Sequence, residues 1–208
     1  MYVMIDNYDS FVHNLAVYME ELGQEIQLVR NDKVDLDDLR RLYRHRKLDG
    51  ISSPRPQSPK DCGQSLEILR EMAGLVPILG ICLGHQIIGY AWNARIAKGP
   101  RPMHGKVTPI RTSQKRLFQG LPAQFQVTRY HSLVVCQENL PDCLEIDATS
   151  QDGAIMALSH RFLPVYGVQF HPEAVLTEHG HELLHNFITL CQEWRIPDED
   201  CSSTAPVL

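Results

Sequence analysis

The amino-acid sequence predicts an α/β fold: a mostly parallel central sheet with helices on both faces and an antiparallel extension. In the first hundred residues, short apolar runs alternate with amphipathic stretches, which is typical of strands that alternate with covering helices. A buried strand predicted at 77–81 passes almost without a loop into a helix at 84–92. After Pro100 the apolar runs follow one another without helices between them, so we expect antiparallel or mixed strands to extend the same sheet.

The first half is expected to contain strand–helix units in regular alternation. A strand at 2–5 leads to a helix that we place between Ser10, a suitable N-cap, and Gly23, a suitable C-terminal stop. The elements that follow repeat this order and are predicted at 25–30 (strand), 36–48 (basic helix), 50–53 (strand), 64–73 (helix), 77–81 (strand) and 84–92 (helix).

The second half is expected to consist of strands and one terminal helix. The predicted strands lie at 107–110, 125–128, 144–148, 155–159 and 165–170. The helix, at 178–194, has one apolar face, and the segment after it has the composition of a frayed tail. We therefore expect one domain at 1–194 and a polar C-terminal tail at 195–208.

Composition excludes several classes of protein. Of the 208 residues, 43% are hydrophobic and 22% are charged, as in ordinary globular proteins. The formal net charge of −5 argues against a protein that binds nucleic acid by general electrostatics. The six cysteines form no CxxC pair, no apolar run is long enough to span a membrane, and the N-terminus does not resemble a signal peptide. We expect a cytoplasmic protein with no membrane or nucleic-acid partner.

The segment at 80–86, GICLGHQ, carries the strongest chemical signal. An apolar strand runs into Cys82 and a helix starts at once, which is the strand–turn–helix context of a nucleophile elbow. Such a turn strains the nucleophile's backbone, and Gly80 and Gly84 are small enough for close packing around it. The helix N-terminus favours a thiolate, and the N–H of Leu83 can face a developing oxyanion. The alternative is an ordinary buried cysteine at a tight turn.

A second segment, QFHPE at 169–173, supplies the proton shuttle that a thiolate nucleophile needs. His171 and Glu173 lie two residues apart, so in an extended segment they project to the same side, and Pro172 stiffens the pair. The strand predicted before them places the pair at a strand end, where sites of α/β proteins usually lie. A histidine alone is more often structural, but with Cys82 it completes a Cys–His–Glu constellation.

Several blocks occur in a fixed order over about residues 1–194: DNYDSF (6–11), RND (30–32), GICLGHQ (80–86), PMHGK (102–106), TRYHSLVV (128–135), GVQFHPE (167–173) and TEHGHELLHNF (177–187). Together they resemble the class I, or triad-type, glutamine amidotransferases, above all the small glutaminase component of anthranilate synthase and aminodeoxychorismate synthase. The resemblance implies that Cys82 attacks the side-chain amide of L-glutamine, that His171 transfers protons and that Glu173 orients His171. It also implies that ammonia passes to a chorismate-binding synthase subunit in a hetero-oligomer, with no cofactor and no metal ion.

The resemblance assigns glutamine-binding positions as well. Gln86, Ser132 and Leu133 match substrate-binding positions of the family, and Leu83 matches an oxyanion donor. The resemblance does not separate the tryptophan pathway from the folate pathway, and a subunit shared by both synthases also fits.

The loop at 53–59 departs from the family pattern. The family reads S-P-G-P-G-[ST]-P where this chain reads SPRPQSP, so Arg55, Pro56 and Gln57 stand at substrate-binding positions and two of them replace glycines. Glycine permits positive φ and close approach of the backbone to substrate, whereas Arg55 adds a long charged side chain where glutamine should lie. We therefore hypothesise a weakened glutaminase. The alternative is a docking subunit that has lost the activity and only stabilises its partner.

A different reaction class is suggested by His181, Glu182 and His185, which match H-E-x-x-H on a predicted helix. This is the motif of zinc hydrolases, with two imidazoles one turn apart and a glutamate base. The same block matches the terminal helix of the amidotransferases, and the sequence shows no obvious third ligand. Zinc hydrolysis therefore remains a remote alternative.

Overall fold

The computed structural model describes residues 1–6, 11–53 and 64–194. The strands are β1 (Tyr2–Asp6), β2 (Ile26–Arg30), β3 (Gly50–Ser53), β4 (Ile78–Ile81), β5 (Ile96–Lys98), β6 (Lys106–Thr112), β7 (Gln124–Arg129), β8 (Leu133–Val135), β9 (Leu144–Ser150), β10 (Ile155–His160) and β11 (Val165–Val168). The α-helices are α1 (Val12–Glu21), α2 (Leu36–Arg44), α3 (Gln64–Met72), α4 (Leu83–Ala91) and α5 (Gly180–Trp194). A 3₁₀ turn at Arg116–Phe118 precedes β7.

In the part of the chain that the structure describes, the central sheet has nine strands in the order β2, β1, β3, β4, β11, β10, β9, β6, β7. The strands from β2 to β11 in this order pair in parallel, and those from β11 to β7 pair antiparallel. β5 and β8 form a separate two-stranded antiparallel ribbon. The predicted α/β class, with a parallel sheet and an antiparallel extension, is confirmed.

Helices cover both faces of the parallel half, as expected. On β1, Tyr2 and Met4 face one core, which α1 and α5 complete, while Val3 and Ile5 face a second core completed by α2, α3 and α4. This alternation follows from the two-residue period of a strand, and both sets of side chains are almost fully buried. No helix within the described ranges is long and apolar enough to cross a bilayer.

A few elements differ from the sequence prediction. The N-cap of α1 is Phe11 rather than Ser10, which lies outside the described residues, and α2 ends four residues earlier than predicted, at Arg44. β5 and β8 were not predicted, because three residues are too few to display a periodic pattern. The predicted tail at 195–208 lies outside the described residues, so the domain boundary stays a prediction.

Candidate active site

The centre of the sheet brings together two segments that are far apart in sequence. β4 and β11 are parallel neighbours in register, with Ile81 opposite Val168. Their carboxyl ends therefore meet at the same edge, and the backbone N–H of Cys82 donates to the carbonyl of Val168 at 2.7 Å. As a result, the segment that begins at Gln169 runs directly beside Cys82, at the edge where ligands bind in α/β folds.

Cys82 occupies a strained backbone position at the start of α4. It is the N-cap residue of that helix, with φ 54° and ψ −97°, and its side chain is buried. A non-glycine residue at positive φ costs on the order of 1–3 kcal/mol and persists only where the surrounding structure holds it. Cys82 thus stands at the N-terminal end of α4, where the first N–H groups of a helix have no partner inside it and favour negative charge. The turn therefore has the geometry predicted for a nucleophile elbow.

Close packing around this turn depends on Gly80. A Cβ atom at position 80 would lie 2.5 Å from the carbonyl oxygen of Gly84 and 2.7 Å from Cδ1 of Ile88. The first contact is with the helix backbone, which cannot rotate away as a side chain can. The absence of a side chain at Gly80 is thus what lets α4 start directly above β4.

His171 and Glu173 form a buried pair beside the elbow. Nδ1 of His171 donates to Oε1 of Glu173 at 2.7 Å, and both side chains are 1% exposed. Burial by itself lowers the pKa of His171, but its interactions with Cys82 and Glu173 outweigh burial and raise that pKa to about 10. The raised pKa favours the protonated imidazole, which is the form that can deliver a proton to a leaving group.

The backbone of this segment is pinned against β7. The N–H of His171 donates to the carbonyl of Thr128 at 3.2 Å, and the hydroxyl of Thr177 donates to the carbonyl of His171 at 2.7 Å. The same hydroxyl oxygen of Thr177 accepts from the N–H of Thr128 at 3.0 Å. Gly180, at the start of α5, leaves room for the carbonyl of Pro172, which a Cβ atom would strike. Such support from three sides preorganises the imidazole.

Two aromatic rings line the imidazole. Tyr130 meets the ring of His171 edge-on with centroids 5.3 Å apart, and Phe11 lies at the same centroid distance. The two aromatic rings contact each other at 5.1 Å. Such an apolar wall limits the access of water to the imidazole and strengthens the electrostatic interactions around it.

The residues predicted to bind glutamine lie around the same turn. Gln86 is buried one turn into α4, and its Nε2 donates to the carbonyl of Leu133 at 2.9 Å. Ser132 is exposed, and its carbonyl accepts from the N–H of Gly99 at 2.8 Å. The structure thus connects the start of β8, which contains Leu133, to the helix that carries Cys82. Arg55, Pro56 and Gln57 lie outside the described residues.

The zinc-hydrolase motif gains no support from the geometry. Nε2 of His181 lies 2.8 Å from Oε2 of Glu21, and its ring stacks on Tyr18 with centroids 3.9 Å apart. Glu182 interacts with His179 in the same way as many exposed helical pairs do. Across the described ranges, no group of three or more His, Cys, Asp or Glu side chains is arranged to hold a metal ion.

Two buried residues near the elbow, Gln169 and His131, are not among the site residues predicted from the sequence. Gln169 is fully buried, and its Nε2 lies 3.7 Å from Sγ of Cys82. His131 is buried behind Leu133, with Nδ1 3.0 Å from the carbonyl of that residue. The available signal was that Gln169 lies in the QFHPE segment, two residues before His171.

Comparison with known proteins agrees with this geometry. Over 193 residues the chain is 47% identical to "Anthranilate synthase component 2" of Pseudomonas aeruginosa, covering 90% of this chain and 94% of that protein. Over 188 residues it is 45% identical to "Aminodeoxychorismate/anthranilate synthase component 2" of Bacillus subtilis, covering 90% and 95%. The crystal structure of a protein from Thermoplasma acidophilum that is assigned as part of a GMP synthase superposes with a TM-score of 0.81 at 28% identity, covering 94% of this chain and 96% of that one.

The sequence profile of the family "Glutamine amidotransferase class-I" matches residues 3–191, which include both strand ends and the pinned segment after β11. The chain belongs to the class I glutamine amidotransferases.

Proposed function

We propose that this chain is the glutaminase subunit of a synthase that aminates chorismate, and that Cys82, His171 and Glu173 are its catalytic triad. The single observation that carries the proposal is the buried His171–Glu173 pair, 2.7 Å apart, at the strand end beside the strained Cys82. A structural cysteine needs neither a positive φ nor a protonated imidazole beside it. Both features suit acyl transfer from an amide.

In the proposed reaction, the thiolate of Cys82 attacks the side-chain carbonyl carbon of L-glutamine. The C–N bond breaks, and the imidazolium of His171 gives its proton to the departing nitrogen, which leaves as ammonia. His171, now neutral, takes a proton from a water molecule whose oxygen attacks the glutamyl thioester. The C–S bond then breaks to release glutamate, and the thiolate–imidazolium pair is restored. Glu173 keeps the imidazole oriented and stabilises its positive charge in both halves of the reaction.

Backbone donors complete the proposed site. The N–H of Leu83, at the first position of α4, would stabilise the oxyanion that forms as the thiolate attacks. Gln86, Ser132 and Leu133 would hold the substrate on the side of the ribbon. Arg55, Pro56 and Gln57 are predicted to contact the substrate as well. Loss of one oxyanion donor typically costs about 10²–10³ in rate, so the loop substitutions decide how active the chain is.

The test is glutamate release from L-glutamine by the purified chain, with and without a chorismate-binding synthase subunit. Release should disappear in Cys82→Ser and persist in Cys143→Ser, which alters a free thiol outside the site. Release by Cys82→Ser at the wild-type rate would overturn the proposal. If the natural chain is silent and Arg55→Gly restores activity, the loop has switched off an intact triad, and the natural protein is the docking subunit of the alternative hypothesis.

An exposed apolar surface beside the site suits the synthase partner. Val175 and Leu176 follow Glu173 closely and are 88% and 64% exposed. Large aliphatic side chains in water next to a reaction centre are typical of a protein interface. Contact there would place the partner close to where ammonia is released.

Aspartate substitutions test this surface. We expect Val175→Asp and Leu176→Asp to weaken binding of the synthase partner at least about tenfold, because burying an unpaired carboxylate in an interface is costly. The matched control is Phe162→Asp, since Phe162 is 78% exposed on the turn at the opposite end of β11. Equal affinities for all three variants in a titration calorimetry experiment would contradict the assignment.

Which product is made depends on which synthase subunit receives the ammonia. The two relatives are of nearly equal identity, yet one is named for anthranilate synthase and the other for both synthases. We propose that the chain can serve the tryptophan and the folate pathways, and reconstitution with each synthase partner separately tests this. The cysteines within the described ranges form no disulfide bond, in keeping with a cytoplasmic location, which stays a prediction.

A further inference from the structure

A continuous chain of buried hydrogen bonds connects the sulfur of Cys82 to the start of β8. Nε2 of Gln169 lies 3.7 Å from Sγ of Cys82 and 3.3 Å from the carbonyl oxygen of the same residue. Oε1 of Gln169 accepts from Nε2 of Gln86 at 3.0 Å. The same Nε2 of Gln86 donates to the carbonyl of Leu133 at 2.9 Å. Two buried amides therefore join the nucleophile to a predicted substrate-binding residue.

The orientation of both amides is determined by their partners. A backbone carbonyl can only accept, so the atom of Gln86 that faces Leu133 must be its nitrogen. Because that nitrogen also faces Gln169, Gln169 must present its oxygen there and its NH₂ group to Cys82. The sulfur thus faces an N–H donor whose direction is set from the ribbon side of the site.

The carbonyl of Leu133 also meets a second chain of hydrogen bonds, which runs through the buried side chains of His131 and Arg129. Nδ1 of His131 lies 3.0 Å from this carbonyl, and Nε2 of His131 accepts from Nε of Arg129 at 3.1 Å. The guanidinium of Arg129 is 2% exposed and forms two hydrogen bonds with the carboxylate of Asp152, at 3.1 and 3.2 Å. A guanidinium can only donate, so His131 is the neutral tautomer with its proton on Nδ1.

The charge state of His131 agrees with this arrangement. Burial, followed by the positive charge of Arg129, lowers the pKa of His131 to about 4. The ring is therefore neutral at physiological pH and can accept from Arg129 while donating to Leu133. Each residue along the path from Asp152 to Cys82 forms a hydrogen bond with the next, and connected networks of this kind hold their members rigidly.

We propose that Gln169 and His131 are positioning residues of the glutaminase: Gln169 holds the sulfur of Cys82 through its side-chain amide, and His131 fixes the Leu133 carbonyl that binds Gln86. The proposal rests on the proposed glutaminase function. It goes beyond the triad because it links the position of the Cys82 sulfur to the position of β8, whose first residue, Leu133, is predicted to bind substrate. The two residues should consequently affect different kinetic parameters.

Gln169→Met tests the sulfur end, because methionine keeps the length of the side chain and lacks the N–H donor. We expect kcat for glutamine to fall about 10- to 100-fold with KM changed less than about threefold, as for loss of a hydrogen bond to a charged group. Iodoacetamide should alkylate Cys82 about tenfold more slowly at pH 7, measured on the isolated Cys82 peptide by mass spectrometry. The control, Gln137→Met, removes an amide-to-carbonyl hydrogen bond on an exposed loop and should change neither rate.

His131 tests the strand end independently. His131→Leu should raise KM about tenfold or more, because the carbonyl of Leu133 loses one of its two donors. His131→Asn should restore most of the wild-type KM, since its amide can replace the Nδ1 donor. A purely structural role would lower thermal stability in both variants without this difference between them.

Several outcomes would overturn the proposal. Gln169→Met with wild-type kcat and wild-type alkylation of Cys82 would show that the amide does not hold the sulfur. Equal KM values for the two His131 variants would show that the donor to Leu133 is unimportant. The alkylation rate needs no turnover, so if wild-type protein does not hydrolyse glutamine, the proposed function fails while the role of Gln169 is still measured.

Discussion

Replacing Gly80 by alanine should damage both stability and catalysis, because the added methyl group would clash with the backbone of Gly84 as well as with the side chain of Ile88. Its Cβ would lie 2.5 Å from the carbonyl oxygen of Gly84, roughly 1 Å inside an optimal separation of about 3.5 Å. The strand cannot retreat, since Gly80 pairs with Gly167 on β11 and with Ser53 on β3. The start of α4 must therefore move away, and Cys82 moves with it.

The magnitude follows from the kind of clash. Overpacking of a core typically costs about 1–3 kcal/mol, and a backbone-to-backbone clash belongs at the upper end of that range. For a domain of this size, 1 kcal/mol lowers Tm by about 2–4 °C, so Gly80→Ala should lower Tm by roughly 6–12 °C. A displacement of the nucleophile by about 1 Å can cost on the order of 10²-fold in kcat.

Thermal unfolding and glutamate release, measured on the same preparations, provide the assay. Gly120→Ala is the matched control, because a Cβ there has nothing within 4 Å although φ is +75°. That variant should lose on the order of 1 kcal/mol of stability, from backbone strain at positive φ alone, and its activity should be unchanged. If Gly80→Ala unfolds within 2 °C of wild type, as a rough threshold, and keeps full activity, the proposed steric basis of the elbow is wrong.

Three further predictions concern buried charges. Glu173→Gln should lower kcat about 10- to 100-fold while the protein stays folded, because a neutral amide replaces the carboxylate that orients His171; unchanged kcat would contradict this role. Since the pKa of His171 is raised to about 10 by its charged neighbours against the opposing effect of burial, its contribution to stability is complete below about pH 6.5 and is lost as pH rises through 10. Urea unfolding of Glu173→Gln should show that loss at lower pH, and superimposable profiles would refute the linkage. Arg116→Met leaves the buried carboxylate of Asp147 without its guanidinium and should lower the free energy of unfolding by about 3 kcal/mol, more at pH 8 than at pH 5 because burial raises the pKa of Asp147. The control, Arg41→Met, breaks an exposed ion pair and should lower it by less than about 0.5 kcal/mol. Equal losses of stability in the two variants would contradict the argument.

Local pattern was enough for most of the fold. The four strand–helix units at the start of the chain were predicted to within a few residues, because each is long enough to show its own period. The ribbon of β5 and β8 was missed because each of its strands has three residues, which is too short to show a period. The turn at Cys82 was also predictable, since an apolar strand, a cysteine and two flanking glycines leave few alternatives to an elbow.

The sequence predicted which residues belong to the candidate site but not how they come into contact. The motifs identified Cys82, His171 and Glu173, and the spacing of the last two explains why they form a pair. Nothing local states that β11 is the neighbour of β4, which is what brings that pair to the elbow. The pairing of strands so far apart in sequence is decided by the global arrangement of the sheet, in which the chain passes through its antiparallel half before it returns.

By itself, then, the sequence determined the class of fold and the family and pointed to the proposed reactive side chains, because periodicity and short motifs carry this information. The tertiary structure alone decided which buried polar groups meet. Gln169 became part of the candidate site because its amide lies between Cys82 and Gln86, and His131 because its two nitrogens lie between a guanidinium and a carbonyl. Hydrogen bonds require contact at about 3 Å, and contact between residues distant in sequence exists only after the chain has folded.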